Sequence, residues 1–384
     1  MTTLFRPAER LKLAAYPFAE LERKASAIKK SGQPLFDLSI GDPDLPPPEF
    51  LVKAIKDAMD LPESHLYPSS QGHPEVRKSV ARWFKGRFDV NLDSDTQVCL
   101  LVGAKEGLAH IATALVNPGD AVIIPELSYP VYGRAGCQLV HGYPVPIPLE
   151  AKKGFLPDLH TLPQAKLMYL NYPNNPTGAV APEGFMRELG FYADSHPEMT
   201  VVYDMAYSEV SFGETSRSLL EFTDNAVEFH SLSKMANATG FRIGFAVGDP
   251  ERISALTRVK QELDSGAPLP FQMGLKAVLD AYVDDTPPAE ISSSLNKYHT
   301  RKQLLKASLT ELGFEVYNSD ATFYVWFKVG GDELKFVDAA LAQGILFTPG
   351  RGFGNGGRGW VRASVTATDE VIEETVNRLK AIKF

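Results

Sequence analysis

Ser231, Ser233 and Lys234 stand together in the run SLSKMANATGFRIGFAVGD, and Arg242 follows a short way on. An amine between hydroxyls, with a guanidinium close by, suits a ligand that carries both an aldehyde and a phosphate. The lysine would form an imine with the first, and the serines and arginine would grip the second. Pyridoxal phosphate is such a ligand. Serine and lysine are common in loops, so this run alone says little. Its weight comes from further segments that offer the other contacts the cofactor needs.

VVYDMAYSEV sets Asp204 and Tyr207 just beyond a β-branched run. An acid at a strand end can pair with a protonated pyridine nitrogen and keep the ring an electron sink. Tyr207 can donate to the ring's phenolate oxygen. An N-cap aspartate beside a packing tyrosine would give the same letters. NYPNNPTG, residues 171–178, is a tight turn after AKLMYL, and Asn175 there can offer its amide to the same oxygen. Donors at that oxygen favour the deprotonated imine. LLVGAKEGL reads as strand, glycine and helix start, so the backbone NH groups of Ala104 and Lys105 would point at a phosphate. The absence of GxxxxGK[ST] argues against a nucleotide P-loop.

Tyr129, after DAVIIP, can stack on the pyridine ring. Tyr67, in YPSSQGHPEVR, can reach a phosphate across a subunit interface. The glycine-dense stretch FTPGRGFGNGGRGWVRAS ends on Arg362, where a planar guanidinium can grip an α-carboxylate through paired hydrogen bonds. Arg351 and Arg358 compete with it, and both are expected to be exposed in the loop. Turn formation, core packing and surface ion pairing are the ordinary explanations for each of these residues taken singly.

The elements that must position these residues follow a clear rhythm. LVKAIKDAM, PEVRKSVARWFKGRF, AKEGLAHIATALV and PEGFMRELGFYADSH read as helices. QVCLLVG, DAVIIP, GYPVPIP, AKLMYLN, TVVYDMAY, VEFHSLS and RIGFAVG read as strands. The alternation predicts an α/β fold with a mostly parallel sheet, whose ligand lies beyond the carboxyl ends of the strands. A long helical pattern, PAEISSSLNKYHTRKQLLKASLTELG, leads to a second strand set, EVYNSD, TFYVWFKV, ILFTPG and WVRASVT, closed by DEVIEETVNRLKAI. The proline-rich turns GDPDLPPPEF and DDTPPAE divide the chain. They predict a large α/β domain at 49–285 and a smaller one that joins 1–48 to 286–384, with a helix after the polar N-terminal arm around FAELERKASAIKK.

The 384 residues are enough for two cores, and the net charge of −8 disfavours nucleic acid or an anionic membrane as partner. Cys99 and Cys137 sit in apolar settings and read as buried thiols in a reducing compartment, with no disulfide framework or metal site. The N-terminus has no apolar signal-peptide core, and no apolar run approaches the ~18 residues that span a bilayer. A cytoplasmic enzyme is the expectation.

The ordered series SIGDPD, YPSSQG, GAKEG, SYPVY, NYPNNPTG, YDMAYSEV, SLSKMANATGFRIG and PGRGFGNGGRGWVRAS resembles the class I/II aminotransferases of fold type I, over nearly the whole chain. The resemblance implies a seven-stranded, mostly parallel sheet, pyridoxal phosphate on Lys234, Asp204 at the pyridine nitrogen, and Asn175 with Tyr207 at the ring oxygen. It implies a phosphate site of Ser231, Ser233, Arg242, Ala104 and Lys105, with Tyr67 from the partner of a homodimer that shares its active sites. Tyr129 would stack, and Arg362 with Gly41 would take the substrate carboxylate. The opening segment is similar to that of LL-diaminopimelate aminotransferases. This implies LL-2,6-diaminopimelate as donor, 2-oxoglutarate as acceptor, a place in lysine biosynthesis, and Tyr16 over the substrate. Met235-Ala236 and the prolines of LDSGAPLPFQ depart from that pattern and bear on donor identity. A broad aspartate/alanine aminotransferase and a cysteine-conjugate β-lyase use the same parts. A ligand-binding regulator would ordinarily carry an attached DNA-binding domain and has no need of the lysine and aspartate.

Overall fold

The computed structural model describes residues 6–11, 19–213 and 215–382. Its centre is a seven-stranded sheet in the order Val98–Leu101, Gly244–Gly248, Ala226–Ser231, Thr200–Asp204, Leu167–Asn171, Ala121–Pro125 and Tyr143–Ile147. Only Gly244–Gly248 runs antiparallel to its neighbours. The strands read as continuous apolar runs because helices cover both faces. Side chains alternate between two cores: Met168 and Leu170 join Trp83, Phe84 and Phe245 on one side, whereas Leu167 and Tyr169 join Leu108, Ile111 and Phe229 on the other. Tyr143–Ile147 lies at the sheet edge, where Pro144 and Pro146 are tolerated.

A third core lies around a four-stranded antiparallel sheet ordered Thr348–Pro349, Trp360–Ser364, Tyr324–Lys328 and Glu315–Val316. The long helix Ala289–Glu311 and the helix Asp369–Leu379 pack beside it. Arg301 on the long helix is buried and binds Asp44 at 2.8 Å and Asp369 at 2.6 Å, so one guanidinium joins the N-terminal segment to both helices.

The N-terminal segment enters this part by pairing in parallel, Phe36–Asp37 against Ile345–Leu346. The next residues become a strip clamped by side chains from elsewhere. Thr348 Oγ1 donates to the Ser39 carbonyl at 2.8 Å, and Thr366 Oγ1 to the Ile40 carbonyl at 2.9 Å. The helices Pro250–Leu263, Leu269–Asp280 and Glu333–Ala342 add to those read from the sequence. Pro270 sits in the first turn of the second, where a missing N–H costs nothing, so the prolines of LDSGAPLPFQ open a helix.

Candidate active site

The C-terminal ends of the large sheet and the clamped strip enclose a cavity of about 410 Å³. Lys234, Asp204, Tyr207, Asn175, Ala104, Lys105, Tyr129, Ser231, Ser233, Arg242, Gly41 and Arg362 all line it. Tyr67 does not: it is 93% exposed, away from the cavity of its own chain. Tyr16 lies outside the described residues.

Lys234 is carried on the short helix Leu232–Met235, whose N-cap Ser231 accepts from the Ser233 N–H. Its Nζ donates to the Gly41 carbonyl at 2.5 Å. Burial brings this amine down to about 8; the guanidiniums of Arg362 and Arg242 push the same way, and Asp42 opposes them. With that value about a tenth of the amine is unprotonated at neutrality, against less than about a thousandth of an ordinary lysine.

Asp204 ends the strand Thr200–Asp204, and its carboxylate is held from two sides. Tyr132 OH donates to Oδ2 at 2.7 Å and the Ala206 N–H to Oδ1 at 3.0 Å. Burial raises its pKa despite these donors, so a cation facing it from the cavity would be welcome. Asn171 fixes the adjoining turn: Nδ2 donates to the Asp204 carbonyl at 2.8 Å, and Oδ1 accepts from the Asn175 N–H at 2.8 Å. Two X-Pro bonds of that turn, Tyr172-Pro173 and Asn175-Pro176, are cis.

Arg362 is buried on the strand Trp360–Ser364. Nη1 donates to Asn175 Oδ1 at 2.8 Å and Nη2 to the Ser39 carbonyl at 2.6 Å, while Nε is buried with no partner. Its guanidinium carbon lies 4.2 Å from the ring centre of Tyr324 and 4.7 Å from that of Phe353. With the Asn175 oxygen committed to Arg362, the amide NH₂ is the end left for a ligand. Arg358 is exposed as expected. Arg351 is not: it is half-buried and paired with Glu333 and Asp332, because the glycine-dense loop folds against the helix Glu333–Ala342.

Beside Arg242 the cavity has a cradle. Gly103 precedes the helix Ala104–Leu115 at φ +77°, and a Cβ there would overlap the Arg242 guanidinium. Arg242 itself has left-handed backbone and donates to the Thr239 carbonyl at 2.8 Å. The Tyr129 ring lines the cavity beside it, with Lys105 Nζ 5.8 Å from its centre. A buried unpaired guanidinium nitrogen, a desolvated carboxylate and a glycine cradle under an arginine fit an amino acid, a pyridinium and a phosphate respectively.

Tyr132, Asn171, Asp42, Thr239 and Tyr324 were missed in the sequence: they stand inside runs already quoted, but nothing local shows which atoms each side chain meets across the fold. Among the described residues one group, Glu106, His110 and Asp264, has the spacing of metal ligands. Lys260 Nζ lies 2.8 Å from Glu106 and 3.0 Å from Asp264 and takes the place of a cation there. Cys99 and Cys137 are buried free thiols, each pushed up to about 11 by burial.

Fold and site together define a pyridoxal-phosphate enzyme of fold type I. The aminotransferase class I and II family matches residues 33–379, and the chain belongs to that family. It is a pyridoxal-phosphate-dependent transaminase that exchanges an amino group between an amino acid and a 2-oxoacid. An LL-diaminopimelate aminotransferase from Aquifex aeolicus is 43% identical, covering 99% of this chain and 100% of the relative. Another so named, from Halothermothrix orenii, is 41% identical over 98% and 99%. Substrate-bound BacF from Bacillus subtilis superposes with a TM-score of 0.91 at 30% identity, covering 99% of this chain and 98% of that one. An aspartate aminotransferase from Thermus thermophilus, 24% identical and covering 99% and 100%, shares the fold with a TM-score of 0.92. No helix of the described residues is long and apolar enough to cross a membrane.

Proposed function

We propose that the chain transfers an amino group from LL-2,6-diaminopimelate to 2-oxoglutarate, as a cytoplasmic homodimer. The observation that carries the chemistry is that Lys234, Asp204 and Arg362 line one cavity. Diaminopimelate is favoured by relatives that bear this activity in their names at 43% and 41% identity over nearly full length. Bound pyridoxal phosphate supplies an electrophilic carbon and an electron-withdrawing ring. Ser231, Ser233, Arg242 and the Ala104 and Lys105 amides hold its phosphate, Tyr129 stacks on the ring, and Asp204 faces the ring nitrogen. Tyr207 and Asn175 donate to the ring oxygen.

Arg362, with Gly41 beside it, takes the α-carboxylate and so orients the Cα–H toward Lys234. The Lys234 amine would serve as the general base for that proton and, once protonated, as the general acid. Lys105 at the cavity and Tyr16 on the arm are the groups for the distal end of a longer substrate. The division at about residue 285 is supported by the core around the smaller sheet, which draws mostly on residues after 285, although Trp326 and Trp360 of that sheet pack into the large core. The homodimer is supported by Tyr67, a phosphate contact that its own chain's cavity leaves aside.

Two measurements test this reading. Lys234→Ala should lose both the cofactor's imine absorbance and turnover; retention of both would refute the site. Comparing kcat/KM for diaminopimelate, alanine, aspartate and glutamate as donors should put diaminopimelate first. Parity with alanine or aspartate would remove the specific donor and leave the transaminase, and pyruvate released from cystathionine would indicate the lyase.

A further inference from the structure

Tyr324 lies on the strand Tyr324–Lys328, fully inside the cavity wall, and its hydroxyl is 2.7 Å from that of Tyr207. Either hydroxyl can donate to the other. Each carries one proton, and that limit decides the direction. Once Tyr207 gives its proton to a ring oxygen, the proton between the two tyrosines has to come from Tyr324. Burial holds the Tyr207 phenol well above its ordinary value, so it keeps a proton to give.

The setting of Tyr324 suits a donor. The Arg362 guanidinium covers one face of its ring and draws electron density from it. The Gly41 backbone packs so closely on the hydroxyl end that a Cβ at Gly41 would overlap it. The ring therefore cannot swing away from Tyr207 on that side.

We propose that Tyr324 is a positioning residue that acts on the cofactor's ring oxygen through Tyr207, by donating to the Tyr207 hydroxyl and strengthening its donation in turn. The proposal rests on the reading of Tyr207 as donor to that oxygen. Donors there drain negative charge and loosen the oxygen's hold on the neighbouring imine proton. Removing them therefore raises the pH at which the cofactor chromophore loses its proton.

The experiment titrates the visible absorbance of the cofactor-loaded protein with pH, in the parent, Tyr207→Phe, Tyr324→Phe and the double variant, with melting temperature as the check on folding. Tyr207→Phe should raise the midpoint by about one unit or more, as the loss of a hydrogen bond to a charged oxygen implies. Tyr324→Phe should raise it by about 0.3 unit, the size of a cooperative contribution. The double variant should match Tyr207→Phe, because Tyr324 has no other route. Because phenylalanine keeps the ring under Arg362, KM should stay near the parent value. An unmoved midpoint in Tyr324→Phe, or a further rise in the double variant, overturns the proposal while leaving Tyr207 at the ring oxygen. An unmoved midpoint in Tyr207→Phe overturns that reading, and this proposal with it.

Discussion

At Lys234, burial and the guanidiniums of Arg362 and Arg242 oppose the ammonium, Asp42 supports it, and the amine comes down to about 8 from an ordinary 10.5. The folded chain thus binds fewer protons than the unfolded one between those two values. This group opposes folding most below about 8, and the opposition fades as pH rises through the window. Capture of pyridoxal phosphate by the cofactor-free protein should accelerate with pH and level off above about 8, followed by absorbance after rapid mixing. A plateau reached only near 10.5 would show that the amine is not perturbed. Asp204→Ala removes the anion proposed to face the ring nitrogen, and turnover of the loaded protein should fall about 100-fold or more. A near-normal rate in single-turnover experiments would sink that role. Lys234, Asp204 and Arg362 were legible in the sequence because each sits in a run with a recognisable chemical purpose. Tyr132, which holds Asp204 at 2.7 Å, and Tyr324 were not, because a tyrosine at a strand or helix start carries no sign of what faces it in space.

The strand–glycine–helix unit at Leu101, Gly103 and Ala104 shows how an element makes a binding site from backbone. Gly103 adopts φ +77° and brings the first amides of the helix under Arg242, whose guanidinium occupies the space a side chain would need. Gly103→Ala meets both the backbone strain and the overlap. The cofactor-free protein should lose about 1–3 kcal/mol in denaturant titrations. The dissociation constant for pyridoxal phosphate, read by equilibrium dialysis, should rise about tenfold; an unchanged constant would exclude a phosphate at that helix start. The buried strands were readable as elements because their apolar runs are uninterrupted. The helices Pro250–Leu263 and Leu269–Asp280 were harder. Prolines stand in the first turn of each, and a proline reads as a break unless its position in the first turn is already known.

At the scale of the molecule, the exposed side chains Met59 at 62%, Leu66 at 59% and Tyr67 at 93% lie on and just after the helix Glu49–Met59. Apolar side chains this exposed are suited to burial by a second copy. Sedimentation at assay concentration should therefore give a dimer, and a fully active monomer would rule out shared sites. A mostly parallel sheet was foreseeable from the alternation of strand and helix, and its seven strands from the family resemblance. The clamped strip at Ser39–Gly41 was not, because it is held by Thr348, Arg362, Thr366 and Lys234, residues too distant for any local pattern.

That strip has a consequence for the order in which the enzyme is made. Arg362 follows Ser39 by 323 residues, so the ribosome releases one partner of their hydrogen bond long before the other exists. At about 5–20 residues per second the interval is roughly 15 to 65 seconds. For nearly all of it Phe36 and Asp37 lack Ile345–Leu346, the strand they pair with, and Asp204 and Lys234 are translated well before Arg362. A product stalled or cut short before Trp360 therefore carries Lys234 without Arg362, and the cavity they share is complete only with the last segment of the chain.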